Sequence, residues 1–402
     1  MTCLLGNRSN HRPHHRRGVT LVELLIVIGI TSLIAAVALP SVKTLLKDRK
    51  TNQAAIQVRG FIEAAKAMAV AKGREVAVVL DRMSDSGDYN LAANNWFSTE
   101  ARDLHRNTVL RLSLAEVLPP YTGDLDNSTC ILEFSDAPSQ VGAAFPQFNR
   151  ALININQNPS LARLIDSKLI DKIAFSDRME TFEVLVDDCT YDLSTGIARI
   201  EYINSRTASR SIVNRAPSRV SAGPHTFRIY CKPRRLYAKP MQLPKGTCID
   251  MSLSGRGVDG FSFSAQQIEA FDPKNTLGVN QVRPIYLVFD SQGAMASLYG
   301  NFLGQSAMTK VLPTSDVYLL VGKTDKVVFP GATFNNTTLY QASNLADSTS
   351  YWVKVSASGG QVSMAPVLTP SLTPGAGGAV SLSTALTESR GAAQVSVDLS
   401  AR

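Results

Sequence analysis

A single carboxylate, Glu23, interrupts an otherwise apolar run over residues 19–39, VTLVELLIVIGITSLIAAVAL. As a helix that rises 1.5 Å per residue, this run would span roughly 31 Å, close to the hydrocarbon thickness of a bilayer. A carboxylate costs on the order of 2.5–3.5 kcal/mol at mid-membrane, and less near the end of a span where Glu23 lies. A segment that served only for export would have no use for such a group.

The segment before the apolar run is basic, with four arginines and no acid in residues 1–18. The positive-inside rule keeps these residues in the cytoplasm and places the chain after Pro40 outside it. Three interpretations compete: a secretory signal cut after Ala36-Val37-Ala38, an uncleaved signal anchor, and a signal cut ahead of the apolar run. The helical pattern continues past Pro40, which argues against the first.

The residues around the start of the run resemble the prepilin processing motif of type IV pilins and type II secretion pseudopilins. Residues 16–18 read RRG and residues 19–25 read VTLVELL. The resemblance implies cleavage between Gly18 and Val19 by the prepilin peptidase and N-methylation of Val19. It also implies that Glu23, fifth in the mature chain, pairs with the amino terminus of a neighbouring subunit, and that Pro40 kinks the helix. The family usually has phenylalanine where Val19 stands.

This resemblance implies partners and a location as well. The partners are the prepilin peptidase, other pilins or pseudopilins through their N-terminal helices, the inner-membrane assembly platform and membrane lipid. The protein would be a single-pass protein of the bacterial inner membrane, with its C-terminal domain outside the cytoplasm, and would assemble into a periplasmic or surface filament. Three segments are similar to H-type minor pseudopilins: Ala64–Gly73 with the strand after it, the turn at Leu243–Gly246, and IYLVFDSQG at Ile285–Gly293.

Apolar periodicity predicts one helix over residues 19–72, with 19–39 as its transmembrane part. A stripe of apolar residues at helical spacing (Val58, Ile62, Ala65, Ala69) would pack on a sheet, and Gly73 stands where a helix-ending glycine is expected. The pattern predicts an α+β fold with an antiparallel sheet. The expected strands are 75–80, 131–134, 182–186, 198–202, 226–231, 285–289, 317–321 and 351–355, with a short helix near 160–173.

The domain organisation follows from these elements. Residues 1–18 are predicted to be a cleaved leader, and residues 73–365 a β-rich globular domain with a large insertion at about 82–225. The last segment, 366–402, is rich in Ser, Thr, Ala and Gly and is predicted to be mostly disordered.

Removal of the leader would take Cys3 with it and leave four cysteines. An even number in an exported domain suggests two disulfides. Proximity in the sequence favours Cys231–Cys248, which leaves Cys130–Cys189. The alternative is four reduced, buried thiols.

Nothing in the sequence predicts an enzyme, a cofactor or a metal site. No nucleophile, P-loop or dinucleotide motif stands in a fitting context. The leader contributes half of the net charge of +8, and no basic stripe with interleaved aromatic residues follows it, so a nucleic-acid partner is not expected. The alternative function from another class is a membrane-anchored periplasmic binding protein or hydrolase that does not polymerise.

Overall fold

The computed structural model describes most of the chain. The described residues are 21–82, 104, 106–125, 128–134, 148–175, 181–185, 188–203, 224–264, 284–300, 309–328, 333–334, 340–368 and 380–400. The chain divides into two compact units, Met1–Arg49 and Lys50–Arg402.

The described residues form three α-helices, which are α1 (Leu21–Lys72), α2 (Pro159–Asp166) and α3 (Leu382–Ser400). Two short 3-10 helices cover Thr324–Lys326 and Asn344–Ala346. The strands are β1 (Val76–Arg82), β2 (Thr108–Glu116), β3 (Thr129–Phe134), β4 (Phe148–Asn154), β5 (Ile170–Phe175), β6 (Thr181–Val184), β7 (Thr190–Asp192), β8 (Ile197–Ile203), β9 (His225–Cys231), β10 (Arg234–Arg235), β11 (Met241–Gln242), β12 (Thr247–Arg256), β13 (Ile285–Phe289), β14 (Met295–Gly300), β15 (Thr309–Val311), β16 (Val317–Lys323), β17 (Thr333–Phe334), β18 (Tyr351–Val355), β19 (Val362–Pro366) and β20 (Val380–Ser381).

The end of α1 shows why the helix stops where the sequence predicts. Gly73 has a φ of +63°, a left-handed conformation that glycine adopts without steric cost. The Gly73 N–H donates to the Val70 carbonyl at 3.2 Å, and the Arg74 N–H donates to the Ala69 carbonyl at 3.3 Å. These two hydrogen bonds form a Schellman motif. They satisfy carbonyl groups that the end of the helix would otherwise leave unpaired.

The larger sheet is antiparallel and has its longest path in the order β15-β14-β13-β1-β2-β12-β16-β18-β19. Two short strands, β10 and β11, also pair with β2, on the side that β12 occupies further along. The strands β1 and β16 of this sheet are buried along their whole length. Continuous burial means that both faces of the sheet are covered.

The first face of the large sheet packs against residues 51–69 of α1. The predicted stripe is confirmed, since Val58, Ile62, Ala65 and Ala69 are fully buried in one cluster with alternate residues of the sheet strands. Small residues in this stripe bring the helix close to the sheet. Burial of a side chain the size of valine or isoleucine stabilises the fold by about 1.5–3 kcal/mol.

The second face is covered in part by α3. Leu382, Leu386 and Ala393 of this helix are buried with Tyr318 and Trp352 of the sheet. The prediction of a disordered tail is therefore wrong for residues 380–400, while residues 369–379 lie outside the described part. The composition misled because small residues at helical spacing pack closely when a sheet face is available to bury them.

The second sheet has seven strands, and six of them close into a ring in the order β3-β4-β8-β6-β5-β9, with β9 pairing again with β3. Closure removes the unpaired edges that an open sheet would expose. Aromatic side chains fill the interior of this closed sheet. The centroids of the aromatic rings of Phe175, Phe182 and Tyr202 lie 5.4–5.7 Å apart.

The closed ring corresponds to most of the predicted insertion. The sequence gives the insertion as about 82–225, but β2 belongs to the large sheet, where it lies between β1 and β12. The ring lies between β2 and β10 in the chain, and those strands pair at Glu116 and Arg234. The chain therefore leaves the large sheet and returns to it at neighbouring positions.

The prediction of an α+β fold with an N-terminal helix followed by antiparallel sheets is confirmed. The expected strands 285–289 and 351–355 coincide with β13 and β18, and the other six agree within two residues at each end. The expected helix at 160–173 is too long. It ends at Asp166, and Ile170–Phe175 is a strand of the ring.

Candidate functional site

The residues predicted to act in processing and assembly, Gly18, Val19, Glu23 and Pro40, lie before or within the first half of α1. Glu23 is in the first described turn of this helix, whereas Gly18 and Val19 lie outside the described residues. The processing site and the role of Glu23 therefore stay predictions. Pro40 lies inside the helical range Leu21–Lys72, and the bend expected there also stays a prediction.

Residues 21–34 of α1 expose apolar side chains on all sides. Leu21 is 75% exposed, Leu33 is 71% exposed, and Ile28, at the low end, is still 52% exposed. The Thr31 hydroxyl donates to the Val27 carbonyl at 2.8 Å, so this polar group is satisfied within the helix. A helix that is apolar all round is typical of a segment buried in a membrane or in a larger assembly.

The predicted membrane span over residues 19–39 begins outside the described residues. Within the described part of the chain, no helix is long and apolar enough to cross a membrane.

Among the described residues, the most buried carboxylate belongs to Asp250 on β12. Its Oδ2 accepts from Asn344 Nδ2 at 2.9 Å, and its Oδ1 accepts from the N–H of Ser252 at 3.0 Å and from the Ser252 hydroxyl at 2.5 Å. Burial raises the pKa of Asp250 to about 6, although these donors oppose the rise. The three donors are neutral and belong to the core, so the arrangement is that of a structural network.

A second buried carboxylate, Asp347, has the opposite electrostatic setting. Its Oδ2 lies 2.8 Å from Lys326 Nζ and 3.1 Å from Lys323 Nζ, and its Oδ1 accepts from Thr349. Burial alone would raise the pKa of Asp347, but these partners hold it well below its usual range. The group stays ionised at neutral pH and ties the 3-10 helix before β18 to the end of β16.

The four predicted disulfide residues lie in the core, and no disulfide joins them in the structure. Cys130, Cys189 and Cys231 lie in or beside the closed ring, whereas Cys248 lies in the large sheet. This corresponds to the alternative of buried, reduced thiols, and the pairings Cys231–Cys248 and Cys130–Cys189 stay predictions for the exported protein. Burial raises the pKa of Cys189 to about 12 and that of Cys231 to about 11. Protonated thiols are poor nucleophiles, so neither residue is suited to covalent catalysis.

Other polar candidates do not assemble into a site among the described residues. His225 is buried on β9, and His105 lies outside the described residues. No group of three or more His, Cys, Asp or Glu side chains in the described ranges could hold a metal ion. Trp352 is buried in the core, as expected of a packing residue.

Comparison with known families identifies the N-terminal segment. A family model for the prokaryotic N-terminal methylation motif matches residues 13–39. This range includes Gly18, Val19 and Glu23. No curated protein and no solved structure matches the chain.

The chain therefore carries a prepilin-type N-terminal methylation motif, consistent with a type IV pilin-like or pseudopilin protein. The motif implies processing by the prepilin peptidase and pilin-type assembly, and it suggests anchoring in a membrane.

Sequence reasoning missed the Asp250–Asn344 network and the cluster that holds α3. Asp250 stands in the stretch TCIDMSLSG at residues 247–255, where Asp250, Ser252 and Ser254 alternate with apolar residues. That alternation is typical of a half-buried strand, with the polar side chains facing solvent. Here Asp250 bonds to Asn344 and Ser254 accepts from the Leu320 N–H, and a local pattern does not reveal such distant partners.

Proposed function

We propose that this protein is a structural minor pilin or pseudopilin, and that it is a substrate of the prepilin peptidase rather than an enzyme. After cleavage between Gly18 and Val19, the mature subunit waits in the inner membrane with its globular unit outside the cytoplasm. It then enters a filament whose core is formed by N-terminal helices. The systems that fit are a type II secretion pseudopilus and a type IV pilus.

The observation that carries the proposal is the methylation motif at residues 13–39 in register with the exposed apolar part of α1. A surface of this kind needs an apolar environment, first lipid and then neighbouring helices. The half of α1 from residue 51 onward is instead amphipathic and is buried against the sheet.

Glu23 has a defined task in this proposal. A carboxylate in an apolar filament core is costly unless it is paired. Cleavage before Val19 creates a free amine only a few residues away on each subunit. Pairing of Glu23 with the amine of a neighbouring subunit would neutralise both charges and fix the axial register between the two helices.

Short segments that resemble H-type minor pseudopilins support assignment to that branch, and one of them is Ile285–Gly293. Ile285–Phe289 is the strand β13, and Gly293 in the following turn has a φ of +79°. The Asp290 carboxylate accepts from the N–H groups of Gln292 and Ala294 at 2.9 Å. The segment is therefore a strand followed by an aspartate-stabilised tight turn.

The test is the substitution Glu23→Ala in the full-length protein, made in cells that contain the assembly machinery. The proposal predicts normal membrane insertion and cleavage, with loss of the subunit from isolated filaments. Glu63→Ala is the matched control, because Glu63 is a half-exposed carboxylate on the same helix that pairs with Arg59 one turn away. Filament incorporation of Glu23→Ala at the level of Glu63→Ala would contradict the task of Glu23. Absence of the unsubstituted protein from isolated filaments would contradict the proposal and favour a membrane-anchored binding protein or hydrolase.

A further inference from the structure

Arg390 on α3 is fully buried, with its guanidinium group against Tyr318 and Trp352 of the large sheet. Its Nη1 donates to the carbonyls of Gly257 and Gly260 at 2.7 and 2.8 Å, and its Nη2 donates to the carbonyl of Leu253 at 2.7 Å. The two terminal nitrogens of one side chain thus donate hydrogen bonds to three carbonyl oxygens. The planar fork of a guanidinium fits such an arrangement, whereas the compact ammonium of lysine does not.

Two aromatic rings complete the surroundings of Arg390. Its Cζ lies 4.9 Å from the ring centroid of Tyr318 and 4.7 Å from that of Trp352. Both distances are within the range of cation–π attraction, which is strongest where water is excluded. No carboxylate among the described residues forms an ion pair with Arg390. Asp259 favours its charge at longer range, and the carbonyls and rings make the direct contacts.

The loop that supplies the carbonyls is built independently of α3. Gly257 has a φ of +75°, and its N–H donates to the Asp316 carbonyl at 2.9 Å. A Cβ at Gly260 would lie 2.1 Å from the Arg256 carbonyl oxygen, and a Cβ at Gly255 would lie 2.3 Å from the Gly260 carbonyl oxygen. Glycine is therefore required at these positions, and contacts with the sheet hold the loop in place.

The neighbours of Arg390 on α3 extend the same contact. The indole Nε1 of Trp352 donates to the Ser389 hydroxyl at 2.9 Å, and Gln394 donates to the Tyr318 hydroxyl. Leu382, Ala385 and Leu386 cover the apolar surface beside these rings. One face of α3 thus presents a single charged group surrounded by small apolar and polar contacts.

We propose that the Tyr318–Trp352 rings and the carbonyls of Leu253, Gly257 and Gly260 form a guanidinium-binding site, and that α3 is a C-terminal latch held in that site by Arg390 of the same chain. The site binds an alkylguanidinium group, and in this protein that group is the side chain of Arg390 on α3. With the latch released, the second face of β12, β16 and β18 would be uncovered.

The test is chemical rescue of Arg390→Ala in the full-length protein in detergent. The protein has two tryptophans, so Trp96→Phe leaves Trp352 as the only indole reporter. In this background we expect Arg390→Ala to lower the melting temperature by about 3–6 °C and to change the emission of Trp352. Methylguanidinium at low millimolar concentration should restore at least half of the loss with a saturable dependence. Sodium chloride at equal ionic strength should not.

Three further variants separate the site from general packing. Arg390→Lys should lose nearly as much stability as Arg390→Ala, because the ammonium does not reach all three carbonyls. Gly260→Ala should lose stability by displacing the loop, whereas Gly359→Ala, with open space around its Cβ, should not. Methylguanidinium should leave the parent protein unchanged.

Some results would overturn the proposal. These are an Arg390→Ala variant that melts within about 1 °C of its parent, equal rescue by sodium chloride, or a lysine variant as stable as the parent. Should Arg390→Ala be recovered only as aggregate, refolding decides the matter. Soluble protein obtained only with methylguanidinium supports the site, and aggregate at every concentration contradicts it.

Discussion

The side-chain amide of Asn344 donates through Nδ2 to Oδ2 of Asp250 at 2.9 Å, although the two residues are 94 positions apart in the chain. The same amide donates to the Lys323 carbonyl at 3.1 Å and accepts from the Lys323 N–H at 2.8 Å. A Cβ at Gly322 would lie 2.2 Å from Asn344 Oδ1, so this approach requires glycine. One asparagine therefore joins β12, β16 and the 3-10 helix that precedes β18.

The Asp250 carboxylate predicts an unusual pH dependence of stability. Burial raises its pKa to about 6 in the folded protein. The ordinary value near 3.9 applies to the unfolded chain. Between about pH 4 and pH 6 the folded state binds more protons, so the free energy of unfolding falls as the pH rises. Asp250→Asn should remove this component, worth about 1–3 kcal/mol across the window, in urea titrations at pH 4, 5 and 6.

Asp347→Asn is the matched control for that measurement. The pKa of Asp347 is lowered, so its contribution to stability is present above about pH 4 and is lost as the pH falls further. From pH 4 to pH 6 Asp347→Asn should therefore keep the slope of the parent profile, whereas Asp250→Asn should remove the fall in stability. A profile for Asp250→Asn that parallels the parent from pH 4 to pH 6 would show that this carboxylate does not titrate there.

The contact between α1 and the sheet predicts different costs for two isoleucines on one helix. Ile62 is fully buried and Ile56 is 55% exposed. Ile62→Ala leaves a cavity against the sheet and should reduce the free energy of unfolding by about 2–5 kcal/mol. Ile56→Ala should change it by less than about 0.5 kcal/mol. Equal losses in chemical denaturation would mean that the buried stripe does not hold the helix to the sheet.

The chain enters and leaves the closed ring at neighbouring positions, and this predicts that the ring can be deleted. Glu116 and Arg234 are paired across β2 and β10, so a short Gly/Ser turn can join Leu118 to Pro233 and replace residues 119–232. The shortened protein should keep the large sheet and a single cooperative thermal transition. Calorimetry and circular dichroism check this, and a protein without a cooperative transition would show that the large sheet depends on the ring.

The sequence predicted the elements whose signals are local. The stripe from Val58 to Ala69 and the glycine at the end of α1 depend on residues within one or two turns, and both are confirmed. Strands of two residues, such as β10 and β11, are too short to show a periodic pattern in the sequence. They form because they pair with the neighbouring strand β2. The closure of the ring depends on pairs such as Leu152 with Arg199, which no local pattern predicts.

The end of the chain shows a different limit. Residues 382–393 have the composition of a linker, which predicts disorder. The helix is stabilised by Arg390, whose three carbonyl partners lie about 130 residues earlier in the chain. In contrast, the candidate assembly site was predicted from the N-terminal sequence alone, because the peptidase reads a short linear motif.

Mass spectrometry of the mature N-terminus tests the central claim most directly. The protein is purified from membranes of cells that contain a prepilin peptidase and is digested for N-terminal peptide analysis. The account predicts a chain that starts at N-methylated Val19, and an uncleaved precursor in cells that lack the peptidase. A mature chain that starts at Leu39, after Ala36-Val37-Ala38, would identify an ordinary secretory signal and would contradict the account.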